Sequence, residues 1–216
     1  MSSNLTTSEE VALAQRALGF AISQWADVEG ALCLVFATAC GPSYTLPEGG
    51  LLCGGGTAFA VFYAVDNFRS KLQMVEAAIY AQLRGLDEPT QELVSGCWAG
   101  IQKKASKLAR RRNALAHRTI TLFNENKPGR RARLVPPMLS QIGEQKPGLT
   151  IHDMERIGLA FAAMSGRIRP LAHFLGAHLG LRSRFVGQVH NLMENMRLQG
   201  DQIGLERVKR DLSWPA

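Results

Sequence analysis

"LARRRNALAHRTITLFNENKPGRRARLV", residues 108–135, changes its period in the middle. Up to His117 its apolar residues continue a helical spacing. From Thr119 the run "TITLF" is β-branched and aromatic, "NENKPG" has turn composition, and "RARLV" at 131–135 can pair back. The stretch therefore predicts the end of a helix followed by a small hairpin.

Working backward, Leu93, Cys97, Ile101, Ala105, Leu108 and Leu115 recur at steps of three, four or seven. They define the buried stripe of a third helix that begins after Pro89 and fades near His117. A second helix is expected over 57–85, with Phe62, Val65, Phe68, Leu72, Val75, Ile79 and Leu83 on its inner face. The first should start at Thr7, where "TSEE" reads as a capping box, and end by Gly41-Pro42. Its inner face would carry Val11, Ala14, Leu18, Ile22, Trp25, Leu32 and Val35. The Gly/Pro-rich residues 41–56 read as a loop. Forward of the hairpin, "TIHD" at Thr150 is a second capping box that opens a fourth helix running to Gly180. One more short helix and a loose tail follow from Leu181.

The fold class is therefore all-α: an up-and-down bundle of four to five helices with a small β-hairpin, or a basic loop, at 119–136 after the third helix. The helical domain is 1–180 and the C-terminal helix and tail are 181–216. No repeat or linker divides the chain.

Hydrophobic residues make up 46% of the 216, enough for a sizeable core. The cysteines, Cys33, Cys40, Cys53 and Cys97, have neither zinc spacing nor partner histidines and read as buried thiols in a reducing compartment. "MSSNLTTSEE" lacks the basic and apolar regions of a secretion signal, and Pro42, Pro47 and the "CGGG" at 53–56 break the apolar run over 30–65. A cytoplasmic protein without a membrane span is expected.

The net charge of +7 is concentrated. Residues 103–133 hold eleven Lys and Arg against one acid, Glu125, while the rest of the chain carries a net −3. Such a cluster is the electrostatic footprint of a phosphate-rich partner, with a merely solvated basic face as the bland alternative. Within it, Asn113 and His117 are i, i+4 neighbours about 40° apart on the helix, so their side chains share one edge. Arg112 falls in the apolar stripe by spacing. It must either snorkel toward that edge or pair with an acid on a neighbouring helix, such as Glu29 or Glu76.

These residues resemble a known family. "RNALAH" at 112–117 fits the R-x4-H signature of HEPN-domain proteins, in which a polar residue, often Asn, follows the Arg. Its place near the end of a long third helix is similar to the family's arrangement, and "WADVEGAL" at 25–32 and "NFRSKLQMVE" at 67–76 resemble the first two helices of bacterial members. The resemblance spans residues 7–120.

It implies a homodimeric, metal-independent endoribonuclease, often a toxin or host-defence effector, with no cofactor. RNA would be the partner, and an antitoxin or regulatory protein a possible second one. His117 would be the general acid/base, since imidazole titrates near 6.5, Arg112 the phosphate clamp, and Asn113 an orienting group. Lys103, Lys104, Lys107, Arg110, Arg111, Arg118, Arg130, Arg131 and Arg133 would contact the RNA backbone. Cleavage would leave 2′,3′-cyclic phosphate and 5′-hydroxyl ends. Some members keep the fold and lose the chemistry, so a non-catalytic dimeric module that binds nucleic acid or protein is the alternative.

Other motifs carry less. "GLLCGGGT" at 50–57 imitates a phosphate-binding loop, but Gly56 stands where its lysine must be. His173 and His178 are five apart, a poor metal pair. His152 belongs to a helix start and His190 to the surface, while Trp25 and Trp98 lie on apolar faces.

Overall fold

The computed structural model describes residues 5–40, 44–45, 51–52, 56–123, 132–136 and 148–178. Over these the protein is all-α, with five helices: α1 (Thr7–Cys40), α2 (Gly56–Ala64), α3 (Phe68–Leu83), α4 (Glu88–Ala116) and α5 (Ile151–His178). Two antiparallel pairs accompany them: β1 (Tyr44–Thr45) with β2 (Leu51–Leu52), and β3 (Thr119–Leu122) with β4 (Ala132–Val135). The short helix expected after Leu181 lies outside the described residues.

The helix starts show how local chemistry sets register. At α1 the capping box is one residue earlier than expected. Thr6 Oγ1 accepts from Glu9 N (3.3 Å), and Glu9 Oε2 accepts from Thr6 N (2.7 Å) and from the Thr6 hydroxyl (2.8 Å). Those bonds hold the Glu9 carboxyl below the ordinary range. Glu10, the partner the sequence favoured, is fully buried and takes the N–H of Ala132 at 3.4 Å. The T-x-x-E pattern occurs in both registers, and burial of Glu10 selects between them.

At α5 the box forms as expected. Thr150 Oγ1 accepts from Asp153 N at 3.1 Å, and the Thr150 hydroxyl donates to Asp153 Oδ2 at 2.8 Å. Burial alone would raise the Asp153 carboxyl, but these bonds and Arg156 outweigh it and hold it below its usual value.

The expected second helix is two helices. Asn67, in extended conformation, accepts the Arg69 N–H on its side chain at 2.8 Å and starts α3 afresh after 65–67. Phe62, Leu72, Val75, Ile79 and Leu83 are buried as read, whereas Val65 and Phe68, at the break, are only half-buried. On α1, Ala14, Trp25, Leu32 and Val35 are buried as read, Val11 and Leu18 are half-buried, and Ile22 is exposed, with Ala17 and Ala21 completing the buried stripe. The 41–56 stretch contains the β1–β2 pair, two residues a side.

Two compact units emerge, one from Met1–Asp27 with Lys107–Ala162, the other from Val28–Ser106 with Ala163–Ala216. In the first, Trp25 packs edge-on against Phe161, centroids 5.0 Å apart. There β3 and β4 run in the register Thr119↔Val135, Ile120↔Leu134, Thr121↔Arg133 and Leu122↔Ala132. On its far side β4 bridges Leu149, with Leu134 and Leu149 exchanging two 2.9 Å bonds. β4 is thereby interior, with Ala132, Leu134 and Val135 buried, and β3 is the outer strand.

The second unit contains an ion pair close to its apolar core. Lys71 Nζ lies 2.8 Å from Glu29 Oε2, and over the rings of Phe62 (5.1 Å) and Tyr63 (5.4 Å). The aromatic faces and carboxylate compensate a nearly buried ammonium that would otherwise cost several kcal/mol. Burial pushes the adjacent Cys33 thiol up to about 11, against a partial pull downward from Lys71. Cys33 and Cys97 are buried thiols as read; Cys40, the last residue of α1, is exposed, and Cys53 lies outside the described residues.

By length and composition α1 is apolar enough to cross a membrane, and half of its most apolar window is buried within the protein.

Two glycines of α5 make opposite predictions. A Cβ on Gly158 would lie 2.7 Å from the Phe20 ring and 3.1 Å from Ala21 Cα. Gly158→Val should therefore lower unfolding stability by about 1–3 kcal/mol. A Cβ on Gly166 meets nothing within 4 Å, so Gly166→Ala should raise stability by about 0.8–1 kcal/mol through helix propensity alone. Urea titrations of the two variants measure both.

Candidate functional site

The last turn of α4 carries Arg112 and Asn113, with His117 directly after it. The stripe of Leu93, Cys97, Ile101, Ala105, Leu108 and Leu115 is buried throughout, as read from the spacing. Fixing that face inward turns Lys103, Lys107, Arg110, Arg111 and Asn113 outward, and all are exposed. His117, exposed, is the first residue past the helix, and its backbone N–H closes the final turn on Asn113 O at 3.1 Å.

Arg112 sits at the edge of the stripe, half-buried. It does not sit within the core. Its Nη1 donates to Asn113 Oδ1 at 3.3 Å, a long hydrogen bond that carries the guanidinium to the rim. That is the snorkelling geometry, and among the described residues no carboxylate takes this arginine. Glu29, a suggested structural partner, accepts Lys71.

The charge around this turn has one sign. Arg110, Arg111, Arg112 and Arg118 lie within nine residues, with no acid among them. The C-terminal end of a helix presents only about half a negative charge through its free carbonyls, so four guanidinium groups outweigh it and the field favours an anion. Lys104 and Arg118 are half-buried. Arg133, on β4, is half-buried with its guanidinium over the Phe123 ring at 5.6 Å. Arg130 and Arg131 lie outside the described residues.

Sequence reasoning placed Phe123 in the hairpin as a strand residue and missed its position. Phe123 and Leu122 are 40% and 46% exposed. A run of β-branched and aromatic residues says "strand" without saying which side faces water, and here the interior place is taken by β4.

Other features of the described residues are chemically quiet. No group of three His, Cys, Asp or Glu side chains converges there as a metal cage. His152 and His173 are exposed helix residues, and Trp25 and Trp98 are core. An open groove of about 440 Å³, lined by Ala77, Tyr80, Arg84 and Ser95 among others, holds none of the predicted site residues. Comparison with protein-family models, curated proteins and solved structures gives no match to this chain.

Because Asn113 and His117 are exposed, removing either side chain should leave the fold intact. Asn113→Ala and His117→Ala are each expected to change unfolding stability by less than about 0.5 kcal/mol. A thermal melt displaced by several degrees would instead make these residues structural.

Proposed function

We propose that the chain is a HEPN-like endoribonuclease acting through Arg112, Asn113 and His117. The observation that carries the reading is the state of Arg112. It is drawn out of the apolar stripe onto Asn113, one turn from an exposed histidine, in a field of like charge. A guanidinium so placed is available to an anion, and the three groups are those that RNA transesterification uses.

In that reaction the ribose 2′-oxygen loses its proton and attacks the adjacent phosphorus. The bond from phosphorus to the 5′-oxygen breaks, and that oxygen takes up a proton. The products are a 2′,3′-cyclic phosphate and a 5′-hydroxyl, with atoms balanced and no co-reactant. His117 moves a proton, and Arg112 stabilises the charge that grows on the phosphoryl oxygens. Asn113 holds the guanidinium in place through its Oδ1.

Attack and departure occur on opposite sides of phosphorus, so one imidazole cannot serve both oxygens at once. A homodimer presenting two His117 side chains would supply base and acid together, which is the reason to expect a second copy. The arginines and lysines of 103–133 supply the sequence-independent hold on RNA. A toxin or defence role, restrained by a protein partner in the cytoplasm, belongs to the same reading.

The test is cleavage of a mixed RNA pool in EDTA. Wild type should cut, leaving cyclic phosphate ends. Folded His117→Ala should lose at least about a hundredfold in rate, and Arg112→Ala a comparable factor. RNA that binds but stays intact would favour the non-catalytic module.

A further inference from the structure

We propose that Phe123 and Arg133, on the hairpin that follows the R-x4-H turn, form a stacking subsite for an unpaired RNA base. The inference rests on the ribonucleic-acid reading above and adds a subsite to it.

The hairpin has a defined inside and outside. β4 is enclosed between β3 and Leu149, and a Cβ on Gly148 would strike Val135 at 2.7 Å, so the chain passes tightly against β4 on that side. Among the described residues of the hairpin, the exposed ones therefore all lie on β3 and its continuation. Thr119, Thr121, Leu122 and Phe123 are exposed and Ile120 is half-buried. An outer strand in contact only with water would ordinarily carry charge, which also guards it against pairing. This one carries none, and it ends in a phenyl ring that is 40% open.

The ring is not an isolated apolar group. The Arg133 guanidinium is 5.6 Å from its centroid, reaching it from the register position opposite Thr121. A flat aromatic with an arginine against it is the arrangement on which nucleobases stack. The base meets the exposed part of the ring, and the cation polarises that ring. Stacking of this kind tolerates any base, because every base has a π-face.

Position and charge select the ligand. Phe123 is six residues beyond His117, hence no more than about 20 Å from it along an extended chain. Over Lys107–Phe123 and Ala132–Pro136 there are six basic residues and no acid. A peptide or lipid tail would use the apolar ring but not that excess of positive charge, whereas a single-stranded polynucleotide uses both. A duplex keeps its bases stacked inside and cannot offer one to the ring.

Binding is measured in the His117→Ala background, so that the RNA stays whole. The probes are a fluorescein-labelled oligouridine and a blunt RNA duplex of matched length. Phe123→Ala should weaken oligouridine binding about tenfold to a hundredfold, with an unchanged salt slope because no charge is lost. Duplex binding should be unaffected. Phe123→Trp should retain affinity, and its added fluorescence should be quenched by oligouridine and not by duplex. That quench reads stacking directly even if Phe123→Ala disturbs the hairpin.

An unquenched Phe123→Trp, or equal oligouridine affinity with and without the ring, overturns the subsite while leaving cleavage by the wild type untouched. Quenching by oligouridine in a protein that never cuts RNA supports the subsite and removes the nuclease reading. A Phe123→Ala protein that binds RNA normally but turns from dimer to monomer assigns the ring to a protein interface and overturns the proposal. Absence of any RNA binding overturns it as well.

Discussion

The buried stripe of α4 is the constraint from which the candidate site follows. Six apolar side chains from Leu93 to Leu115 are held in the core, and a helix allows no local adjustment of what lies on its other faces. Once Leu108 and Leu115 point inward, Asn113 must point out and Arg112 falls at the boundary. Removing one buried leucine costs about 2–5 kcal/mol. Several such residues acting together fix the rotation of this helix far more firmly than any surface charge could oppose. The arginines are exposed because the leucines are not.

A boundary arginine has two ways to keep its charge. It can pair with a carboxylate in a low-dielectric interior, or carry its head to water and leave its stem on the apolar surface. The same chain shows both solutions for its cations. Lys71 takes the first, with Glu29 at 2.8 Å and two aromatic faces around it. Arg112 takes the second, tethered to Asn113. The contrast bears on function, because a cation committed to a buried carboxylate has no capacity left for a ligand. One held at the rim by a neutral amide keeps its full charge and most of its donors.

How far this could be read from sequence depended on whether a residue's fate was decided locally. The α4 stripe, the Thr150–Asp153 cap and the β3–β4 pairing rest on spacing and turn chemistry, and these are in the sequence. Other readings failed, some through tertiary contact and some through local chemistry that apolar spacing does not register. The α1 cap moved to Thr6 because Glu10, equally good by pattern, was taken into the core to accept from Ala132. The expected 57–85 helix was interrupted because Asn67 bonds forward to Arg69, a competition that apolar periodicity does not register. Cys40 is exposed because α1 ends on it, although cysteine is among the most buried residue types. For the site, the identity and edge of Arg112, Asn113 and His117 were legible. Whether Arg112 was buried in a pair was not, since Glu29 and Glu76 were both plausible by type.

The hairpin shows why the outward face of a small sheet is the hardest part to foresee. Alternation along "TITLF" and "RARLV" makes either strand eligible for the interior. The choice is made by a third partner, Leu149, whose two backbone bonds to Leu134 enclose β4 and leave β3 outside. That places the β-branched, uncharged strand in water and the arginine-bearing strand inside, the reverse of what hydropathy alone would favour. Arg133 resolves the inversion by staying only half-buried, with its guanidinium 5.6 Å from the centre of the Phe123 ring. The hairpin thus adds Arg133 and a partly exposed aromatic ring to the basic segment that ends α4. An ordinary basic face lacks such a ring, and the stacking subsite proposed above depends on it.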